Sequence, residues 1–86
     1  MNIERIRYLP IHKNLQGDYV EVWSQYNDKY PEFVSPEKLL EYPAYRLRTY
    51  PDERTAERSV KNSSYCKWFG DSGISVVPVK ETVEFL

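Results

Sequence analysis

Tyr19-Val20-Glu21-Val22-Trp23-Ser24-Gln25-Tyr26 decides the fold class. β-Branched and aromatic residues dominate the stretch. Val20, Val22 and Ser24 share one face; Tyr19, Glu21, Trp23 and Gln25 share the other. This alternation predicts a β-strand, and a strand with a buried face needs neighbours and a covering layer. Toward the N-terminus, residues 14–18 read as a turn around Gly17. Residues 3–11, with Ile6, Tyr8 and a bend at Pro10, suit a short edge strand.

Toward the C-terminus, Ser35-Pro36-Glu37-Lys38 is a helix start: Ser caps free amides and Pro occupies the first helical position. That helix, residues 36–41, must end before Pro43 and depends on Leu39 and Leu40 packing onto a sheet. Residues 44–50 alternate Tyr45, Leu47 and Thr49 against Arg46, Arg48 and Tyr50, which predicts a strand with arginines outward. Residues 52–69 form the longest helical candidate, with acids near its start, Lys67 near its end and Gly70 as its stop. At 100° per residue, Ala56, Val60, Ser63 and Lys67 make one narrow stripe; Arg54, Arg58, Lys61 and Tyr65 lie opposite. Trp68 and Phe69 are expected to plug the core, together with Phe33 and Phe85. Residues 74–79 predict a strand whose Pro78 argues for an edge or a bulge, and residues 82–86 a short last element. The expected fold is one small α+β domain over residues 1–86. It has β-β-α-β-α-β order and a four- to five-stranded antiparallel or mixed sheet with two helices on one face.

Composition agrees with a single folded unit. The chain has 86 residues, of which 41% are hydrophobic, 29% charged and 15% aromatic. Eight Tyr, three Phe and two Trp argue against disorder. No apolar run is long enough to span a bilayer, and the charged first residues leave no apolar signal-peptide core. One cysteine cannot form an internal disulfide. A reducing, cytoplasmic location is expected, so Asn62-Ser63-Ser64 reads as a chance glycosylation sequon. The formal net charge is −1, which gives no global pull toward nucleic acid or anionic lipid. Residues 18–43 nevertheless sum to −4 and residues 44–70 to +3.

The chemistry-bearing residues are few. Gly70-Asp71-Ser72-Gly73 resembles the tetrapeptide around the nucleophile of trypsin-like serine proteases. The resemblance covers four residues, and His12 is the one histidine that could serve as base. The turn-forming residues themselves predict a helix-to-strand turn. Cys66 beside Trp68 and Phe69 reads as a small hydrophobe, since a helix C-terminus disfavours a thiolate. One His and one Cys do not make a zinc site, and no Gly-rich phosphate loop or calcium loop is present. No cofactor and no metal are expected.

What remains are surfaces. Arg54, Arg58, Lys61 and Tyr65, extended by Arg46 and Arg48, could hold phosphates or grip an acidic partner. Tyrosines at 19, 26, 30, 42, 45 and 50, with Trp23, exceed what so small a core holds, and interface hot spots favour such residues. The expectation is a non-catalytic binding protein that docks onto a macromolecule, a protein in the first instance. Its contacts would be Trp23, Tyr26, Tyr30, Arg46, Arg48, Arg54, Arg58, Lys61 and Tyr65. By analogy, small chains of this kind include phage and mobile-element inhibitors that act against host defence. The rival is a nucleic-acid-binding module using Arg54, Arg58 and Lys61. A homo-oligomer built by sheet-edge pairing is a third option, and no membrane partner is expected.

Overall fold

The computed structural model describes residues 2–13 and 20–86. The turn expected at 14–18, and Tyr19, lie outside them. The elements are β1 (Asn2–Lys13), β2 (Val20–Tyr26), β3 (Glu32–Val34), α1 (Pro36–Glu41), β4 (Tyr45–Leu47), α2 (Glu53–Lys61), α3 (Ser64–Phe69) and β5 (Ile74–Glu84). The domain is α+β, with a five-stranded antiparallel sheet in the order β3-β2-β1-β5 and β4 also paired to β2.

Hydrogen-bond parity fixes how each strand sits. Tyr8 exchanges both backbone bonds with Tyr50, at 2.9 and 3.0 Å, so its polar groups face away from β5. Even-numbered residues of β1 therefore face the β2 side and odd-numbered ones face β5. The Lys13 N–H bond to Gly73 C=O, 3.4 Å long, agrees. The unbroken register from Asn2↔Glu84 to His12↔Ile74 carries that parity along the whole ladder. Both strand prolines then fall where a donor is not needed: Pro10 faces the gap where β1 leaves β2, and Pro78 faces the free edge of β5. β1 is thus a long inner strand rather than the short edge expected from the sequence. β5 is an edge strand, as Pro78 suggests, and it absorbs residues 82–84.

β3 and β4 flank β2 on opposite sides. Both run antiparallel to β2, hence parallel to each other, and α1 crosses between them. Ser35 caps α1 by accepting the Lys38 N–H at 3.3 Å. β3 is three residues long and was not expected. Its neighbour register aligns Trp23 with Phe33 and Val22 with Val34, burying one pair on each face of the sheet.

The helix expected over 52–69 is two helices. Asn62 closes α2 by donating its N–H to Arg58 C=O, 3.0 Å. Ser63 then caps α3, accepting the Cys66 N–H at 3.3 Å. Asn-Ser-Ser side chains offer the backbone local alternatives to helix continuation. Ala56 and Val60 of α2 are buried as their stripe predicts. The break turns Lys67, Trp68 and Phe69 outward: Trp68 is 83% and Phe69 74% exposed. They do not plug the core, and Phe85 is exposed as well. The core is Leu9, Val22, Trp23, Phe33 and Val60. Tyr65 of α3 meets Trp23 edge-on at 6.0 Å and Phe33 at 5.0 Å. α2 and α3 therefore cover the Trp23 face. α1 meets the opposite face, where its cap residue Tyr42 lies 6.3 Å from Tyr45. The helices lie on both faces, not one.

Candidate functional site

β2 ends in a turn held by two local devices. Asn27 adopts a left-handed φ of 49°, which asparagine tolerates better than most residues. Gln25 donates its side-chain amide to Lys29 C=O at 2.7 Å. The turn swings Lys29 back over Tyr26, with Nζ 5.9 Å from the ring centroid, and delivers Tyr30 to the surface at 79% exposure. β4 aligns Tyr45 with Tyr26, and the rings meet edge-on at 4.9 Å.

These four tyrosines (26, 30, 42 and 45) line an open cleft of about 350 Å³ together with Lys29, Glu32 and Lys38. Tyr45 donates its hydroxyl to Glu32 Oε1, 3.1 Å. Partial burial first, and then that bond to Glu32, push the Tyr45 phenol above its ordinary pKa. The ring therefore stays neutral and fixes the Glu32 carboxylate on the cleft wall. A second concavity of about 460 Å³ continues along β3 and α1. It carries Glu21, Glu32, Glu37 and Glu41 against the single base Lys38. Glu32 and Lys38 line both.

The residues singled out from the sequence divide. Tyr26 and Tyr30 stand in the tyrosine cleft. Trp23 does not belong with them: it is 1% exposed and donates its Nε1–H to Tyr50 Oη at 3.1 Å, so it has no surface to offer a partner. Tyr65 turns inward because α2 ends before it, and it leaves the basic stripe. Burial, followed by the Glu21 carboxylate and Cys66, raises its phenol pKa. Arg54, Arg58 and Lys61 remain exposed on α2. They make no ion pair among the described residues, where the ion pairs are Arg5–Glu81, Lys80–Glu4 and the His12–Glu21 contact. Arg46 is exposed on β4, and Arg48 lies 6.0 Å from the Tyr50 ring centroid. Tyr42, Tyr45 and Glu32 complete the cleft and were not among the expected contacts. Non-local pairing brings them to Tyr26: β2 with β4 places Tyr45, and β2 with β3 places Glu32 opposite Ser24.

Gly70-Asp71-Ser72-Gly73 is a turn from α3 to β5, closed by Ile74 N–H to Asp71 C=O at 3.3 Å. Gly73 has a φ of +79°, and a Cβ there would sit 3.4 Å from the His12 ring; a side chain would be both strained and crowded. No hydrogen bond joins Ser72 to His12. His12 Nδ1 is buried without a hydrogen bond, 3.4 Å from Glu21 Oε1. Cys66 packs against the core cluster. Among the described residues no three His, Cys, Asp or Glu side chains gather as metal ligands, and no helix is long and apolar enough to cross a membrane. No family model matches the chain, and neither a curated protein nor a solved structure matches it.

Proposed function

We propose that the chain is a non-catalytic, cytosolic binding protein that docks a basic segment of a protein partner in its tyrosine cleft and adjoining acidic groove. The observation that carries this reading is the shared wall. Because Glu32 and Lys38 line both concavities, four tyrosine rings and four carboxylates form one continuous surface. Tyrosine supplies large, stiff contact area and a wet hydroxyl, which suits hot spots. Cations are attracted to ring faces, and Lys29 over Tyr26 is an internal instance. A row of carboxylates beside the rings favours a positively charged partner and speeds encounter.

Selection of displayed random peptides on the chain tests this. Enriched peptides should carry Arg or Lys, and enrichment should vanish on Tyr30→Ala plus Tyr42→Ala, both solvent-exposed positions. Acidic peptides, or enrichment indifferent to those two changes, would refute the reading. Arg54, Arg58 and Lys61, unpaired among the described residues, favour a second reading, nucleic-acid binding by α2. That reading requires binding to DNA or RNA at about 50 mM salt that weakens steeply as salt rises and is lost on Arg54→Glu plus Arg58→Glu. No binding under those conditions removes it.

A further inference from the structure

We propose that two copies of this chain pair through the free edge of β5, antiparallel, with the two-fold axis at Thr82. The inference is independent of the tyrosine cleft, and its occupant is fixed by the charge pattern of the edge itself.

β5 pairs with β1 on one side and with no strand on the other among the described residues. Parity sends the N–H and C=O of Lys80, Thr82 and Glu84 to that open side, as it sends the donor-less Pro78. A long open edge is a template for another strand, and the residues facing across decide which strand fits. A second β5 aligned about Thr82 sets Lys80 opposite the partner's Glu84, and Glu84 opposite the partner's Lys80. Thr82 then meets its own copy. Val79 faces the partner's Phe85, which is exposed in the single chain. Pro78 marks the end of the shared ladder; its carbonyl still accepts from the partner's Leu86.

Two neighbouring registers of the same parity are worse. An axis at Lys80 puts Lys80 opposite its copy and Pro78 opposite Thr82, losing a donor. An axis at Glu81 puts that carboxylate opposite its copy and leaves both Lys80 and Glu84 without an opposite charge. Within one chain Lys80 Nζ lies 3.1 Å from Glu4 Oε2, while Glu84 has no ion-pair partner among the described residues. The Thr82 register supplies that partner twice, as the self-complementary contact of a two-fold dimer requires.

Sedimentation or light scattering of the full chain across a concentration series should give a species of twice 10.3 kDa. Glu84→Lys sets like charges opposite each other twice and should raise the dissociation constant at least roughly tenfold. Adding Lys80→Glu restores opposite charges and should recover the dimer. Thr82→Pro should give monomer with unchanged circular dichroism, because the Thr82 N–H points away from β1, and its thermal unfolding should match that of wild type diluted below the dimer dissociation constant. In a Cys66→Ser background, Thr82→Cys should oxidise to a covalent dimer and Ser75→Cys should not, since paired strand positions bring Cα atoms to about 5.5 Å, within disulfide reach. A chain that is monomeric at every concentration overturns the proposal. So does a dimer that survives Glu84→Lys and Thr82→Pro, or one that Ser75→Cys cross-links as readily as Thr82→Cys. Should Thr82→Pro fail to fold, the Glu84→Lys pair of measurements decides alone.

Discussion

Trp23 and Trp68 place the same side chain in opposite surroundings, and the contrast gives a direct test of the core. Trp23 is closed in by Phe33, whose ring centroid is 4.8 Å away, and by Tyr65, with its indole N–H satisfied by Tyr50. Truncation leaves a cavity and an orphaned hydroxyl. Trp23→Ala should cost about 3–5 kcal/mol, whereas Trp68→Ala should stay within about 0.5 kcal/mol, both measured by denaturant unfolding with unchanged slope. Asp52 gives a pH test. Its carboxylate accepts the Thr55 N–H at 2.7 Å and the Thr55 hydroxyl at 2.9 Å. First the backbone bond and then the hydroxyl bond hold its pKa below the ordinary 3.8. A depressed folded value means the stabilisation is full above 3.8 and is lost as pH falls through the lower folded value. Asp52→Asn should therefore flatten the acid limb of thermal stability below about pH 4 while leaving the profile above it unchanged in shape. The sequence pattern told little about Trp23. Alternation separates the two faces of β2 but does not say which is covered, and here helices cover both, so a residue on either face can be core. Asp52 was legible as a favourable charge at a helix start, because that effect is local.

At the scale of elements, the junction of α2 and α3 rests on Ser63. Its hydroxyl donates to Val60 C=O and accepts from the Cys66 N–H, while its carbonyl takes the Lys67 N–H. Ser63→Ala should cost about 1 kcal/mol and speed hydrogen exchange at the Cys66 amide more than at amides of β2. An unchanged Cys66 protection would show that α3 does not depend on its cap. Local chemistry was readable: the Ser35 cap, the Asp52 charge at a helix start, the Gly70 stop and the edge position of Pro78 all stand where the sequence puts them. The lengths of β1 and β5 were not. The ribbon formed by residues 2–6 and 80–84 has few contacts to the core, so neither face needs an apolar stripe, and Ile3, Ile6 and Val83 stay exposed. Without a buried face, alternation has nothing to record. β3 was missed because three residues carry no period. The cleft tyrosines were visible as a surplus, yet their meeting depends on Tyr26 pairing with Tyr45 across an intervening helix.

The whole molecule is elongated, 42 × 29 × 28 Å, and an eleven-residue antiparallel ladder of about 37 Å accounts for its long axis. It exposes 6533 Å², against roughly 5,300 Å² expected of a compact monomer of this mass. Both candidate surfaces draw on that excess, and the strand order keeps them apart. The tyrosine cleft lies at the β2–β4–α1 end of the sheet, and the free edge of β5 is the opposite end. Pairing through β5 therefore leaves one cleft open on each copy, facing outward from a continuous sheet. Two outward sites on one particle bind a multivalent surface far more tightly than either does alone. The gain reaches about 10²–10⁴-fold where geometry lets both engage. On a sensor densely coated with a selected basic peptide, the wild-type chain should dissociate roughly a hundredfold more slowly than Thr82→Pro, the lower end of that range. On a sparse coating the two should dissociate alike. Tyr30→Ala plus Tyr42→Ala should remove binding at both densities while sedimenting as a dimer. Equal dissociation of wild type and Thr82→Pro on the dense surface would mean that the two clefts of a dimer cannot engage one surface at once.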